Sequence, residues 1–202
     1  MFTGIIEATG IVYSVSDNGS NKTFWISSSI SKELKVDQSV SHNGVCLTVE
    51  EVKDDMHRVT AIHETLIKSN IGKWQEDDGV NLERCMQMNG RIDGHIVQGH
   101  VDAIAICLEK KDMNGSWEYS FKFSQEFANL VIEKGSIAVN GISLTVFDVR
   151  WQGFSVAIIP YTYEHTNMNA VTEGSTVNIE FDIIGKYVQR QLLNASQASK
   201  VF

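Results

Sequence analysis

The chain has 202 residues, 43% of them apolar and 21% charged, with a formal net charge of −8. That composition belongs to a soluble globular protein holding one ordinary domain or two small ones. The acidic balance, with no Lys/Arg cluster, argues against nucleic acid or an anionic membrane as partner, and three scattered cysteines, Cys46, Cys85 and Cys107, fit a reducing compartment rather than a disulfide framework or a zinc site.

The N-terminus, Met1-Phe2-Thr3-Gly4-Ile5-Ile6-Glu7, has no basic segment followed by an apolar one, and no window approaches the roughly 18 apolar residues of a membrane span. The expected location is cytoplasmic. Residues 4–15 predict a first strand, with Gly10 marking a bulge or tight bend. After a turn, residues 22–28 form a β-rich run and residues 29–34 a single helical turn. Residues 39–52, SVSHNGVCLTVEEV, set Asn43-Gly44 between two alternating apolar runs. Such a pair is the strongest short-range hairpin signal, because both turn residues take positive φ. Strands at 58–62 and 80–86 flank a short helix or loop at 63–71. A second unit opens at 94–108. Residues 117–123 alternate aromatic and polar side chains, as a strand with one buried face does. A small helix at 125–132, a hairpin at Asn140-Gly141 and strands at 154–159 and 176–182 complete the unit.

The second hairpin copies the first. An offset of 97 carries Ser39, Asn43, Gly44, Leu47, Thr48, Val49 and Val52 onto Ser136, Asn140, Gly141, Leu144, Thr145, Val146 and Val149. The same offset carries Thr65 onto Thr162 and Val80-Asn81-Leu82-Glu83 onto Val177-Asn178-Ile179-Glu180. The protein is therefore two units of one repeated design, divided as 1–88 and 89–185. About six short strands per unit predict an all-β fold of two tandem antiparallel, Greek-key-like barrels. Closure would remove the exposed sheet edges of such small units. Residues 186–202 have no counterpart in the first unit. Tyr187, Val188, Gln191, Leu192 and Ala195 fall on one helical stripe, and because a lone helix of this length is marginal in water, the segment is expected to be an oligomerisation element.

In each hairpin the second strand turns Leu47 and Val49, or Leu144 and Val146, to one face, and Cys46 and Thr48, or Ser143 and Thr145, to the other. A small nucleophile-type residue followed by Thr at both equivalent positions points to paired sites for two similar ligands. Cys46 alone would more often be a small buried hydrophobe; its equivalence to Ser143 assigns it to substrate contact before covalent catalysis. His95 and His100, five apart on a strand, would point to opposite faces, and no nearby cysteine or carboxylate completes a metal site. His95 is therefore assigned a structural hydrogen bond. Asp182, at a strand end, fits either a cap for the following helix or a place in the chemistry.

MFTGII at the N-terminus, HNGVCLTV and NGISLTV, ETL at 64–66, GHIVQGH at 94–100 and VNIEFD at 177–182 together resemble the riboflavin synthase family of the alpha-chain type, in its order and spacing over about residues 1–190. The resemblance implies dismutation of two molecules of 6,7-dimethyl-8-ribityllumazine, one giving a four-carbon unit to the other to yield riboflavin and 5-amino-6-ribitylaminouracil, with no cofactor or metal. It also implies a homotrimer held by helices from residues 186–202, with barrels of neighbouring subunits facing each other, and admits lumazine synthase as a further partner.

Carried over by resemblance, one pocket takes Gly4, Ile5, Ile6, Cys46, Leu47, Thr48, Thr60, Ala61, Ile62, His63, Glu64 and Thr65. The other takes Gly99, His100, Val101, Ser143, Leu144, Thr145, Ala157, Ile158, Ile159, Pro160, Tyr161 and Thr162, with Lys134 reaching in from a neighbouring subunit. Ser143, His100, Cys46, Thr48, Thr145 and Asp182 are the expected catalytic residues. Ser143 and Thr145 would hold the water or hydroxyl that adds at C7, and His100, of a residue type that titrates near about 6.5, would shuttle the methyl proton. Tyr161 departs from the family, which usually has an acidic residue there. A non-catalytic lumazine- or flavin-binding protein shares the duplicated barrel and is the competing reading.

Overall fold

A computed structural model of the chain describes residues 1–198, and the side chains of residues 1–195. In the first unit β1 (Ala8–Asn18), β2 (Asn21–Ser27), β3 (Ser39–His42), β4 (Val45–Lys53), β5 (Met56–Ala61) and β6 (Gly79–Arg84) close a barrel in the order β1-β2-β5-β4-β3-β6. In the second, β7 (Ala103–Asp112), β8 (Trp117–Lys122), β9 (Ser136–Val139), β10 (Ile142–Arg150), β11 (Gly153–Ile158) and β12 (Thr176–Phe181) close in the equivalent order β7-β8-β11-β10-β9-β12. Every neighbouring pair is antiparallel. A helical turn α1 (His63–Lys68) follows β5, its counterpart α2 (Pro160–His165) follows β11, and α3 (Ile183–Ala198) follows the second barrel. The two-barrel architecture expected from the repeat is the one observed.

The elements follow from the local chemistry. Asn43 and Gly44 have φ of 47° and 80°, and Asn140 and Gly141 have 46° and 80°, the left-handed pair that a two-residue hairpin turn needs. On β8, Tyr119 and Phe121 point into the second core, whose aromatic cluster includes Phe123, Phe154 and Phe181. The Tyr119 hydroxyl donates to the Met168 carbonyl at 2.7 Å, so burying this phenol leaves no unpaired polar atom.

Some expectations change. The first strand begins at Ala8 rather than residue 4, and the bulge falls between Val12 and Ser14 rather than at Gly10, which pairs in register with Val80. Residues 94–101 are not a strand; they make one isolated bridge, Val97 to Phe2. The terminal helix starts at Ile183, three residues before the boundary read from the sequence. Residues 199–202 of that expected helix lie outside the described residues.

The first barrel carries a polar plug that the second lacks. The His42 and His57 rings are fully buried, with their Nε2 atoms 2.8 Å apart. His42 Nδ1 donates to the Val40 carbonyl at 3.0 Å, so its Nε2 accepts from His57, whose Nδ1 accepts the Ser31 hydroxyl at 2.8 Å. Burial lowers the pKa of both, that of His57 to about 4. At the positions 97 residues on, the second barrel has Val139 and Phe154 in its apolar core.

The barrels meet across an approximate two-fold axis marked by reciprocal contacts. The Gly44 and Gly141 turns abut so closely that a Cβ on either would lie 2.8 Å from the other's nitrogen. Asn81 Nδ2 donates to the Asn140 carbonyl at 3.0 Å and Asn178 Nδ2 to the Asn43 carbonyl at 2.9 Å. Asn43 Oδ1 accepts from the Asn81 amide and Asn140 Oδ1 from the Asn178 amide. The duplicated asparagines thus satisfy backbone groups that burial between the barrels would otherwise leave unpaired.

Candidate active site

The segments that precede each barrel are exchanged. The Ser143 amide on β10 donates to the Gly4 carbonyl at 2.8 Å, and the Cys46 amide on β4 donates to the Gly99 carbonyl at 2.9 Å. Gly4 has φ of 78° and Gly99 of 83°, and a Cβ on either would lie 2.6 Å from the Cβ of Ser143 or Cys46. Only glycine permits this approach. Ile6 of the first unit packs on the second core, and Val101 of the second unit packs on the first core.

The pockets are therefore composed crosswise, which corrects the grouping expected from the sequence. Gly4, Ile5 and Ile6 belong with Ser143, Leu144 and Thr145; Gly99, His100 and Val101 belong with Cys46, Leu47 and Thr48. A cavity of about 220 Å³ in the first barrel is lined by Val45, Cys46, Glu64, Thr65, Lys68, Ser69, Gly99, His100 and Val101. His100, expected beside Ser143, faces Cys46 across this cavity.

Side-chain directions divide the remaining residues. Cys46 and Ser143 are half-buried, and Thr48 and Thr145 are exposed on the same strand faces. Leu47, Ala61 and Ile158 are core residues and Leu144 packs against the second core, so these four offer a ligand backbone rather than side chains. Thr60 bonds Thr23 and Glu50 on the barrel wall. Ile62, His63 and Glu64 are exposed where α1 begins, as are Ile159, Pro160 and Tyr161 at α2; Ala157 is exposed on β11, and Thr65 and Thr162 are half-buried. Tyr161, in place of the carboxylate, stacks on His165 with ring centroids 4.1 Å apart. Lys134 is exposed, with Nζ 6.0 Å over the Phe147 ring.

His95 makes the hydrogen bond expected of it, and its partner is the hydroxyl of Ser143. Its Nδ1 lies 2.7 Å from Ser143 Oγ, and its ring is buried. Burial lowers its pKa, while the Asp182 charge acts in the opposite direction. Of the two readings left open for Asp182, the structure shows the cap: Oδ1 accepts the Ile184 amide at 2.9 Å at the start of α3. Burial pushes the Cys46 thiol up, and a neutral thiol is a poor nucleophile.

Two carboxylates pin the exchanged segments. Glu83 on β6 accepts the Thr3 amide at 2.7 Å, the Thr3 hydroxyl at 2.8 Å and the Gly4 amide at 3.0 Å. Glu180 on β12 accepts the Gln98, Gly99 and His100 amides at 2.6, 2.9 and 2.8 Å. Both are buried, and burial raises both pKa values against the pull of the amides. A glutamate kept twice within an apolar strand was the available signal in the sequence.

Two closed barrels of one repeated design, each met by the opening segment of the other unit, define a duplicated barrel protein. The lumazine binding domain family matches residues 3–85 and 98–182. The riboflavin synthase of Actinobacillus pleuropneumoniae is 39% identical over 96% of this chain and 90% of its own length. That of Bacillus subtilis is 36% identical over 98% and 92%, and that of Saccharomyces cerevisiae 35% identical over 96% and 87%. Crystal structures of LumP complexed with riboflavin and with 6,7-dimethyl-8-(1'-D-ribityl) lumazine share the fold, with TM-scores of 0.84 and 0.82 at 18% identity, each covering 90% of this chain and 99% of that one. The chain belongs to the riboflavin synthase family.

Proposed function

We propose that the chain catalyses dismutation of two 6,7-dimethyl-8-ribityllumazine molecules to riboflavin and 5-amino-6-ribitylaminouracil. The observation that carries the proposal is the pair of equivalent strand faces met crosswise by the opening segments, Cys46 and Thr48 beside Gly99 and His100, and Ser143 and Thr145 beside Gly4 with His95 on the Ser143 hydroxyl. Two identical substrates with opposite roles call for two related but non-identical sites, and the 2.7 Å contact between Ser143 and His95 has no counterpart at Cys46 among the described residues.

The second pocket suits addition at C7. Neutral His95 accepts the proton of the Ser143 hydroxyl, or of a water held by Ser143 and Thr145, as oxygen adds. Asp182 stabilises the imidazolium that forms. His100 in the first pocket takes the C7-methyl proton of the other molecule, whose ring delocalises the resulting carbanion. Orientation of the two ring systems supplies much of the remaining acceleration.

Two substrates must also be brought together, and α3 supplies the means. Ile184, Val188 and Leu192 are 65%, 54% and 66% exposed and, with Leu130 and Ile132, line an apolar groove of about 650 Å³. Burying them against copies of the chain gives a homotrimer in which the first barrel of one subunit faces the second barrel of the next, with Lys134 reaching the neighbour's pocket. The reading places the enzyme in the cytoplasm, with lumazine synthase as the partner that supplies substrate.

Incubation of the purified chain with 6,7-dimethyl-8-ribityllumazine alone tests the proposal. One riboflavin formed per two lumazines consumed supports it. Tight binding without conversion makes the protein a ligand carrier instead.

A further inference from the structure

The pocket that a buried carboxylate shapes is not the pocket of its own barrel. Glu83 belongs to the first barrel, yet the residues it holds, Thr3 and Gly4, carry the carbonyl that receives the Ser143 amide. Glu180 belongs to the second barrel, yet the amides it gathers, from Gln98 to His100, belong to the segment that walls the Cys46 cavity. Each carboxylate takes three donors, and both are nearly inaccessible, at 5% and 2% exposure. Ionised oxygens make the stronger hydrogen bonds here, and a buried amide donor left unpaired is costly. Neither segment is anchored by a ladder: residues 1–6 and 94–101 share one isolated bridge, Phe2 to Val97.

We infer that Glu83 and Glu180 are crosswise positioning residues, Glu83 setting the Ser143 pocket of the second barrel and Glu180 the Cys46 pocket of the first. The inference rests on these two pockets being the ligand sites proposed above. Neither carboxylate touches the ligand; each acts through the backbone of the exchanged segment. Replacing either by glutamine keeps the shape, but turns an NH2 group toward backbone N–H donors.

Amide NMR of the full-length ¹⁵N-labelled chain, titrated with riboflavin, reads the pockets separately. In Glu180→Gln, the riboflavin concentration that half-saturates the Cys46, Thr48 and Thr65 shifts rises about tenfold, while that for Ser143, Thr145 and Thr162 stays within about twofold. Glu83→Gln gives the reverse pattern. A ligand-free arm follows hydrogen exchange: the Cys46 amide exchanges about tenfold faster in Glu180→Gln, and the Ser143 amide in Glu83→Gln. Thr3→Val, which removes only the hydroxyl bond to Glu83, supplies a milder variant with the Glu83 pattern. Effects confined to each glutamate's own barrel, equal effects on both pockets, or a lowered unfolding temperature with both half-saturation values unchanged would overturn the inference. If the unsubstituted chain shows no riboflavin shifts, the proposed activity fails, while the exchange arm still decides the positioning.

Discussion

Gly4 of the first unit gives its carbonyl oxygen to the amide of Ser143 in the second, 2.8 Å away and 139 positions along the chain. With the mirror contact of Gly99 to Cys46, it makes each pocket the joint property of both repeats. Gly4→Ala places a methyl 2.6 Å from Ser143 Cβ at a φ of 78°. Strain and overpacking of this kind cost about 1–3 kcal/mol. Urea unfolding should show that loss, and the Ser143 pocket should lose riboflavin before the Cys46 pocket does.

Removing the Ser143 partner should slow turnover more than binding. His95→Gln is expected to lower kcat about 10²-fold, the scale of a general base, with a smaller change in KM. The pH profile carries the sign. If His95 is the base proposed above, its pKa depressed by burial makes wild-type kcat fall as pH drops through a value below the usual histidine range. Steady-state kinetics across pH should show the acid limb shifted in His95→Gln, because His100 then remains as the base in the profile.

The histidine plug makes the first barrel acid-sensitive. His42 and His57 are neutral in the fold, with pKa values depressed by burial, that of His57 to about 4. The unfolded chain binds their protons from about pH 6.5 downward, so their contribution to stability is intact above that pH and is lost as pH falls toward 4. The slope is up to about 1.4 kcal/mol per pH unit for each imidazole. Around the plug Glu33 pairs with Arg84, Arg58 with Glu50 and Glu51, and Lys32 and Lys53 are exposed; Glu83 and Glu180, whose pKa values burial raises, act in the opposite sense and are common to both proteins compared below. Installing the second barrel's residues, His42→Val with His57→Phe, should flatten the dependence of the thermal midpoint between pH 7 and 5.

The asparagine network should be costly to break. Asn178→Ala removes the acceptor of the Asn70 amide, 2.7 Å away, and the donor to the Asn43 carbonyl. Two buried backbone groups left unpaired predict a loss of about 2–4 kcal/mol, measurable by chemical denaturation.

Charging the exposed stripe of α3 should abolish assembly without unfolding either barrel. Val188→Asp with Leu192→Asp is expected to convert a trimer to monomers in sedimentation velocity and to reduce turnover, with circular dichroism of the barrels unchanged.

The sequence by itself determined the duplication, both Asn-Gly hairpins, the alternating strands and the terminal amphipathic helix. Each is a local pattern, a period of two or 3.6 residues or a fixed offset, and such patterns are written along the chain. It also supplied the strand faces carrying Cys46, Thr48, Ser143 and Thr145, because side chains alternate along any strand. It could not show which opening segment served which hairpin, since residues 1–6 and 94–101 have no period and their partners lie in the other unit. For the same reason the sequence assigned His95 a hydrogen bond but not its partner, Ser143, 48 positions away. Glu83 and Glu180 were visible as a repeated pair, but only packing revealed backbone amides as their partners. Tertiary structure decided these points because the hydrogen-bonding needs of buried segments are met by whatever the fold brings near, not by their neighbours in sequence.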